Sequence, residues 1–373
     1  MKKLQILCTL LILQFCGCGN PQIQTKEAVS LFTPDNSHIQ YTGRIDFSNP
    51  DKPRISGAGA YILVHFRGTT CDILLEDQKS DDSHSYIAIV LDGEYKGRIK
   101  LSEDITEYQI ADNLNNTTHT IMVCKATESQ NGYIDFMGII CSELLPVRNR
   151  PKRRIEFIGD SITCGMGLDI SDLSCNAWNA RWYDQHNAFL AYGPQAAKEL
   201  DADWLLSSVS RIGLLRNSDS AGPTISQVYD NTYLDTETSS LFDAQNYIAD
   251  LVSICLGTGD FSDGDGSFER EPLDSSRFII EYIRFVKKIR DRYPDAQICC
   301  LTSPMLTGEK SAQLEKYLSK IIQHMKEVEE DTKVQMFVFS DSYTSGCSGH
   351  PNGKEHQKIA EELLPFYKNI MGW

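Results

Sequence analysis

The stretch IEFIGDSITCGMG, Ile155–Gly167, ends an apolar run at Gly159 and sets Ser161 between an acid and a glycine-closed turn. A serine there is either a helix N-cap or a nucleophile. A hydroxyl attacks a carbonyl only when a base takes its proton. The candidate base is His350 in GCSGHPNGKEHQ, beyond the last strand-like run and just before the last helix-like one. His38, His65, His84 and His119 fall in the N-terminal part, His324 lies inside an amphipathic stretch and His356 opens the final helix. His186 remains a minor rival. Acyl transfer also needs donors for the developing oxyanion. The Ser161 N–H is one, and Gly213 in SRIGLLRN offers a second, because glycine lets the backbone approach a ligand.

Other residue groups invite chemistry more weakly. Trp178 and Trp182 in CNAWNARWYDQHNAF could stack on a sugar ring or fill a core. DFSDGDGSFERE suggests calcium through Asp260, Asp263 and Asp265, but the glycine and terminal acid of a calcium loop are misplaced. A solvated acidic loop is the better reading. No CxxC pair occurs, so no structural zinc site is expected, and acyl transfer by a serine and a histidine requires no metal or cofactor.

These residues need elements to position them. After Arg154, RIEFIGD, ADWLLSSVS, LVSICLGTGD, AQICCLTSP and VQMFVFSD read as buried strands. Helix-like stretches separate or follow them: NAFLAYGPQAAKEL, SSRFIIEYIRFVKKIRDRY, KSAQLEKYLSKIIQHMKEVEE and EHQKIAEELLPFYKNI. Continuous apolar strands alternating with helices predict a parallel sheet covered on both faces, an α/β architecture. Ser161, Gly213, Gly259 and the loop after Asp341 then all fall at strand C-terminal ends, where such sheets collect function. Upstream, residues 31–147 hold AYILVHF, TCDILLED, YIAIVLDG, GRIKL and HTIMVCKAT, short runs bounded by turn residues, and predict a β-sandwich. LLPVRNRPKRR marks the boundary before an α/β domain over residues 151–373.

The first residues read as a targeting segment. MKK precedes an apolar stretch too short to span a bilayer, then CGC. A small residue before Cys18 predicts a lipoprotein signal over residues 1–18, a lipidated Cys18 and a tether over 19–30; an ordinary secretory signal is the alternative. Either way the expectation is an exported protein, touching membrane only through a lipid anchor. The net charge of -15 disfavours nucleic acid as a partner. Of the 12 cysteines, Cys164, Cys175 and Cys347 sit near the candidate chemistry, and a disulfide among them is possible outside the cytoplasm.

GDSIT, a glycine after the second strand, LGTGD after the third, and a late HP followed by HQKIAEEL resemble the four blocks of the SGNH (GDSL) hydrolase superfamily. YTGRIDFSNPDKPRISGAGAYILVHFRGT resembles the jelly-roll domain that precedes the hydrolase in carbohydrate esterase family 2. The resemblance implies an N-terminal jelly roll followed by a three-layer α/β/α domain, Ser161 as nucleophile and His350 as general base. It implies an oxyanion hole at Ser161, Gly213 and Gly259, and an acetylated carbohydrate as substrate. Three departures stand out. SRIG replaces SGxG, the usual asparagine of GTND is Gly259, and the acid expected before the histidine is replaced by Cys347 and Ser348. The Gly349 carbonyl or the Ser348 hydroxyl could orient the imidazole instead, and Asn217 or Asn179 could supply the missing amide. A carbohydrate-binding lipoprotein with a degenerate site is the competing expectation.

Overall fold

The computed structural model describes residues 28–373, apart from 80–82, 149, 220, 238–239, 244, 246, 265 and 267–269. The targeting segment and Cys18 lie outside the described residues.

Two six-stranded antiparallel sheets open the described chain. One has the order β3 (Ile45–Asp46), β4 (Arg54–Ile55), β11 (Gly132–Cys141), β6 (Cys71–Lys79) and β9 (Glu107–Ala111), with β1 (Ser30–Phe32) also on β11. The other runs β12 (Glu143–Leu145), β5 (Tyr61–Gly68), β10 (Thr117–Lys125), β7 (Tyr86–Leu91) and β8 (Glu94–Lys100), with β2 (Gln40–Thr42) on β5. Alternate residues along β6 point inward, so Cys71, Ile73 and Leu75 meet Phe66, Ile121 and Phe136 in the sandwich core. The β7–β8 hairpin turns at Asp92 and Gly93, with φ of 51° and 83°. Both central residues are left-handed, as a two-residue turn matching strand twist requires. Strand β11 is missing from the sequence reading, because Gly132 and Gly138 interrupt its pattern and the register shifts between Phe136 and Gly138.

The second part is a five-stranded parallel sheet in the order β14 (Ala202–Ser208), β13 (Arg153–Gly159), β15 (Leu251–Cys255), β16 (Gln297–Leu301) and β17 (Val334–Phe337). Side chains of β13 alternate between the two faces. Ile155 and Phe157 pack towards α2 (Tyr192–Glu199) and α6 (Gly353–Met371), whereas Ile158 faces α4 (Ser275–Arg292) and α5 (Gly308–Glu327). Helices on both faces give three layers. The short helices α1 (Ser161–Cys164) and α3 (Ile225–Val228) follow β13 and β14.

The sandwich and the parallel sheet share apolar packing. Ala58, Tyr61, Tyr86 and Cys124 join the cluster that holds Phe157, Tyr192 and Leu206. Polar contacts follow the same seam: the Trp204 Nε1–H donates to the Gly59 carbonyl at 3.1 Å, and the Tyr86 hydroxyl to Asp184 at 3.0 Å. Arg44 enters from the sandwich and lies fully buried 3.9 Å from Glu156 of β13.

Candidate active site

Ser161 does not cap the helix after β13; Asp160 does. Its Oδ1 accepts the Ile162 N–H at 3.0 Å, and Gly165 closes the single turn at φ 74°. Ser161 is therefore the first helical residue, whose N–H has no acceptor within the helix. The preceding Gly159 is required by packing: a Cβ there would sit 2.1 Å from Thr163 Oγ1. The strand thus delivers Ser161 to the sheet edge on a tight turn, 7% exposed.

His350 reaches it from the other end of the chain. Its Nε2 lies 2.8 Å from Ser161 Oγ, and its Nδ1 lies 3.1 Å from the Ser348 carbonyl. With Nδ1–H donating to a carbonyl, Nε2 is left as the acceptor for the serine proton. The orienting group is thus the Ser348 main chain, neither the Gly349 carbonyl nor the Ser348 hydroxyl. Ser348 adopts φ 54° in the short turn Cys347–Gly349 that presents this carbonyl. Burial lowers the His350 pKa from the ordinary 6.5; the Ser348 carbonyl opposes this and nearby His186 adds to it.

Cys347, in the same turn, is disulfide-bonded to Cys175, with Cα atoms 5.2 Å apart. Its N–H donates to the Gly167 carbonyl at 3.0 Å. Cys164 is a buried free thiol instead.

The oxyanion candidates separate. The Gly213 N–H is already engaged by Asn217 Oδ1 at 3.0 Å, and Asn217 Nδ2 donates to the Gly222 and Pro223 carbonyls. Neither group is therefore free to meet a substrate: Asn217 clasps its own loop. Asn179 lies exposed in the outer loop. Gly259 carries no side-chain donor, and a Cβ there would sit 3.0 Å from the Ile212 carbonyl and 3.1 Å from that of Arg211. Arg211 occupies the first glycine of the SGxG pattern and adopts the left-handed φ of 68° that glycine takes freely.

Asp260 faces inward. Its buried carboxylate accepts the Leu214, Leu215 and Arg216 N–H groups at 2.8–3.0 Å, fixing the loop after β14. Asp263 pairs instead with Lys310, so these two acids do not converge on one ion; Asp265 lies outside the described residues. Trp182 flanks the site, its ring 5.1 Å from that of His186 and 5.5 Å from the Arg211 guanidinium. Trp178 stands 96% exposed on the same loop. Glu128, buried between Ser210 and His186, has no counterpart in the sequence reading. It belongs to the distant sandwich, and no local spacing links it to Ser161.

A GDSL-like lipase/acylhydrolase family model matches residues 157–358, more than half of the chain. The chain belongs to that family. A carbohydrate esterase 2 N-terminal model matches residues 41–151 of this GDSL hydrolase. It is 30% identical over 345 residues to the cellulase/esterase CelE of Acetivibrio thermocellus, covering 91% of this chain and 40% of that protein. It therefore spans well under half of that relative. An acetylxylan esterase/glucomannan deacetylase of Cellvibrio japonicus is 27% identical, with 96% of this chain and 95% of that protein covered. Among solved structures, a family two carbohydrate esterase from Clostridium thermocellum in complex with cellohexaose superposes with a TM-score of 0.80 at 28% identity, covering 90% of this GDSL hydrolase and 99% of that chain. A family two carbohydrate esterase from Cellvibrio japonicus gives 0.82 at 25% identity, covering 93% and 99%.

Proposed function

We propose that this protein is an exported esterase that removes acetyl groups from polysaccharides or oligosaccharides. The observation that carries the reading is the 2.8 Å contact between Ser161 Oγ and a His350 ring whose other nitrogen is held by a main-chain carbonyl. Ser161 Oγ attacks the acetyl carbonyl carbon while His350 Nε2 takes its proton. The sugar oxygen leaves with that proton, and water, activated by the same imidazole, releases acetate and frees the serine. The Ser161 N–H and the N–H of Arg211, three residues past the end of the neighbouring strand β14, are the main-chain donors we assign to the oxyanion. The similarity to an acetylxylan esterase/glucomannan deacetylase supports a sugar acetyl ester as substrate, and the 96% exposed Trp178 offers a ring face for a pyranose. Export and attachment through Cys18 rest on the MKK–apolar–CGC opening.

The absent amide at Gly259 and the occupied Gly213 N–H favour the second reading, a carbohydrate-binding lipoprotein without turnover. Acetate release from a panel of acetylated glycans, with Ser161→Ala as control, decides between them. Release by the wild type alone supports the esterase; glycan binding without release supports the binding protein.

A further inference from the structure

Glu128 leaves the end of β10 in the sandwich and is fully buried beside the parallel sheet. Its Oε2 accepts the Ser210 N–H at 2.6 Å and lies 3.6 Å from the Cys164 thiol, and its Oε1 is 3.2 Å from His186 Nε2. These partners come from three separate segments. Cys164 ends the turn that begins with Ser161, Ser210 precedes the left-handed Arg211, and His186 belongs to the loop bearing Trp182 and Cys175. Cys164 also meets Ser208 Oγ at 3.2 Å, which closes the group around the C-terminal ends of β13 and β14. Behind the carboxylate, Lys125 Nζ donates to the Glu128 carbonyl at 2.9 Å and fixes the main chain that delivers it.

Such a site is expensive as scaffolding alone. A carboxylate taken out of water must be matched by donors, and an apolar side chain would fill the same space more cheaply. Burial opposes the charge, yet the His186 and Ser210 donors hold the carboxyl below its usual range. We propose that Glu128 is a positioning residue of the hydrolase site: the sandwich supplies the carboxylate that sets the Arg211 N–H against Ser161. The inference rests on the esterase reading and gives the N-terminal domain a part in turnover as well as in architecture.

Glu128→Gln tests it. Glutamine has the same shape but one acceptor oxygen, so it cannot serve both Ser210 and His186 as acceptor. Hydrolysis of 4-nitrophenyl acetate is measured per active serine, counted by titration with a serine-reactive phosphonate, so that misfolded protein does not enter kcat. The expected result is kcat lower by about 10–100-fold with KM changed less than about threefold, because an oxyanion donor acts in the transition state. Should Glu128→Gln fold poorly, His186→Gln, which keeps a donor for Glu128, is compared with His186→Leu, which does not; the first is expected to retain more kcat. Equal kcat per active serine in wild type and Glu128→Gln, or equal losses in the two His186 variants, overturns the inference alone. A wild type as inactive as Ser161→Ala overturns the esterase reading and this inference with it.

Discussion

At the residue scale, the imidazole sets the pH dependence. His350 acts as a base only when neutral, and burial lowers its pKa from the ordinary 6.5. Activity is therefore expected to be flat around neutrality and to fall only as pH drops through an apparent pKa below 6.5 in the kcat/KM profile. An acid limb centred above 7 would contradict this assignment. Gly259 and Arg211 form a second test. Asparagine at 259 would press on the Arg211 and Ile212 carbonyls, 3.1 and 3.0 Å from a new Cβ. Gly259→Asn alone is expected to lower both Tm and kcat. Arg211→Gly relaxes the left-handed residue, so the double variant is expected to recover and exceed the single one in kcat. Strict additivity of the two changes would show that the positions do not communicate. Ser161 was legible as a candidate because it follows an apolar run, and His350 because it stands in the loop between the last strand-like run and the final helix-like one. Gly213 was misread, because whether an N–H is free depends on a side chain four residues on, which no pattern announces.

Elements hold these residues in place through a few long-range ties. The disulfide joins cysteines 172 residues apart and anchors the turn carrying His350 to the loop carrying both candidate tryptophans. Closing so long a loop restricts the unfolded chain, and its loss costs roughly 2–5 kcal/mol. Cys175→Ser, which leaves the His350 turn unaltered in sequence, is expected to lower Tm and to reduce kcat by about tenfold as that turn loosens. Adding a thiol reductant to the wild type should reproduce both effects; an unchanged kcat in the variant would mean that the Gly167–Cys347 contact holds the turn unaided. The strands and helices of the parallel sheet were readable because five apolar runs alternate with amphipathic ones. The pairing of Cys175 with Cys347 was not, since it depends on two loops meeting across the top of the sheet.

For the whole molecule, the seam between sandwich and sheet decides how it unfolds. Arg44 donates to Ser207 Oγ and to the Tyr229 and Asn231 carbonyls, and it is the cation nearest Glu156, itself fully buried. Arg44→Ala leaves that carboxylate without this partner and is expected to cost about 3–5 kcal/mol. Both parts should then melt earlier in one transition; separate transitions, with only the sandwich affected, would show that the seam does not couple them. None of this was visible in the sequence, where Arg44 is one basic residue in a β-rich stretch. The seam has a further consequence for how the chain is made. Strand β14 is one of the two edge strands of the parallel sheet, and all seven of its residues are buried. Trp204 and Leu206 on it meet Gly59 of the sandwich, so an apolar sheet margin that could recruit strands from other molecules is covered from within. The cover precedes β14 in the chain, so a ribosome releases it before the surface it must shield, and aggregation is countered by the order of synthesis itself.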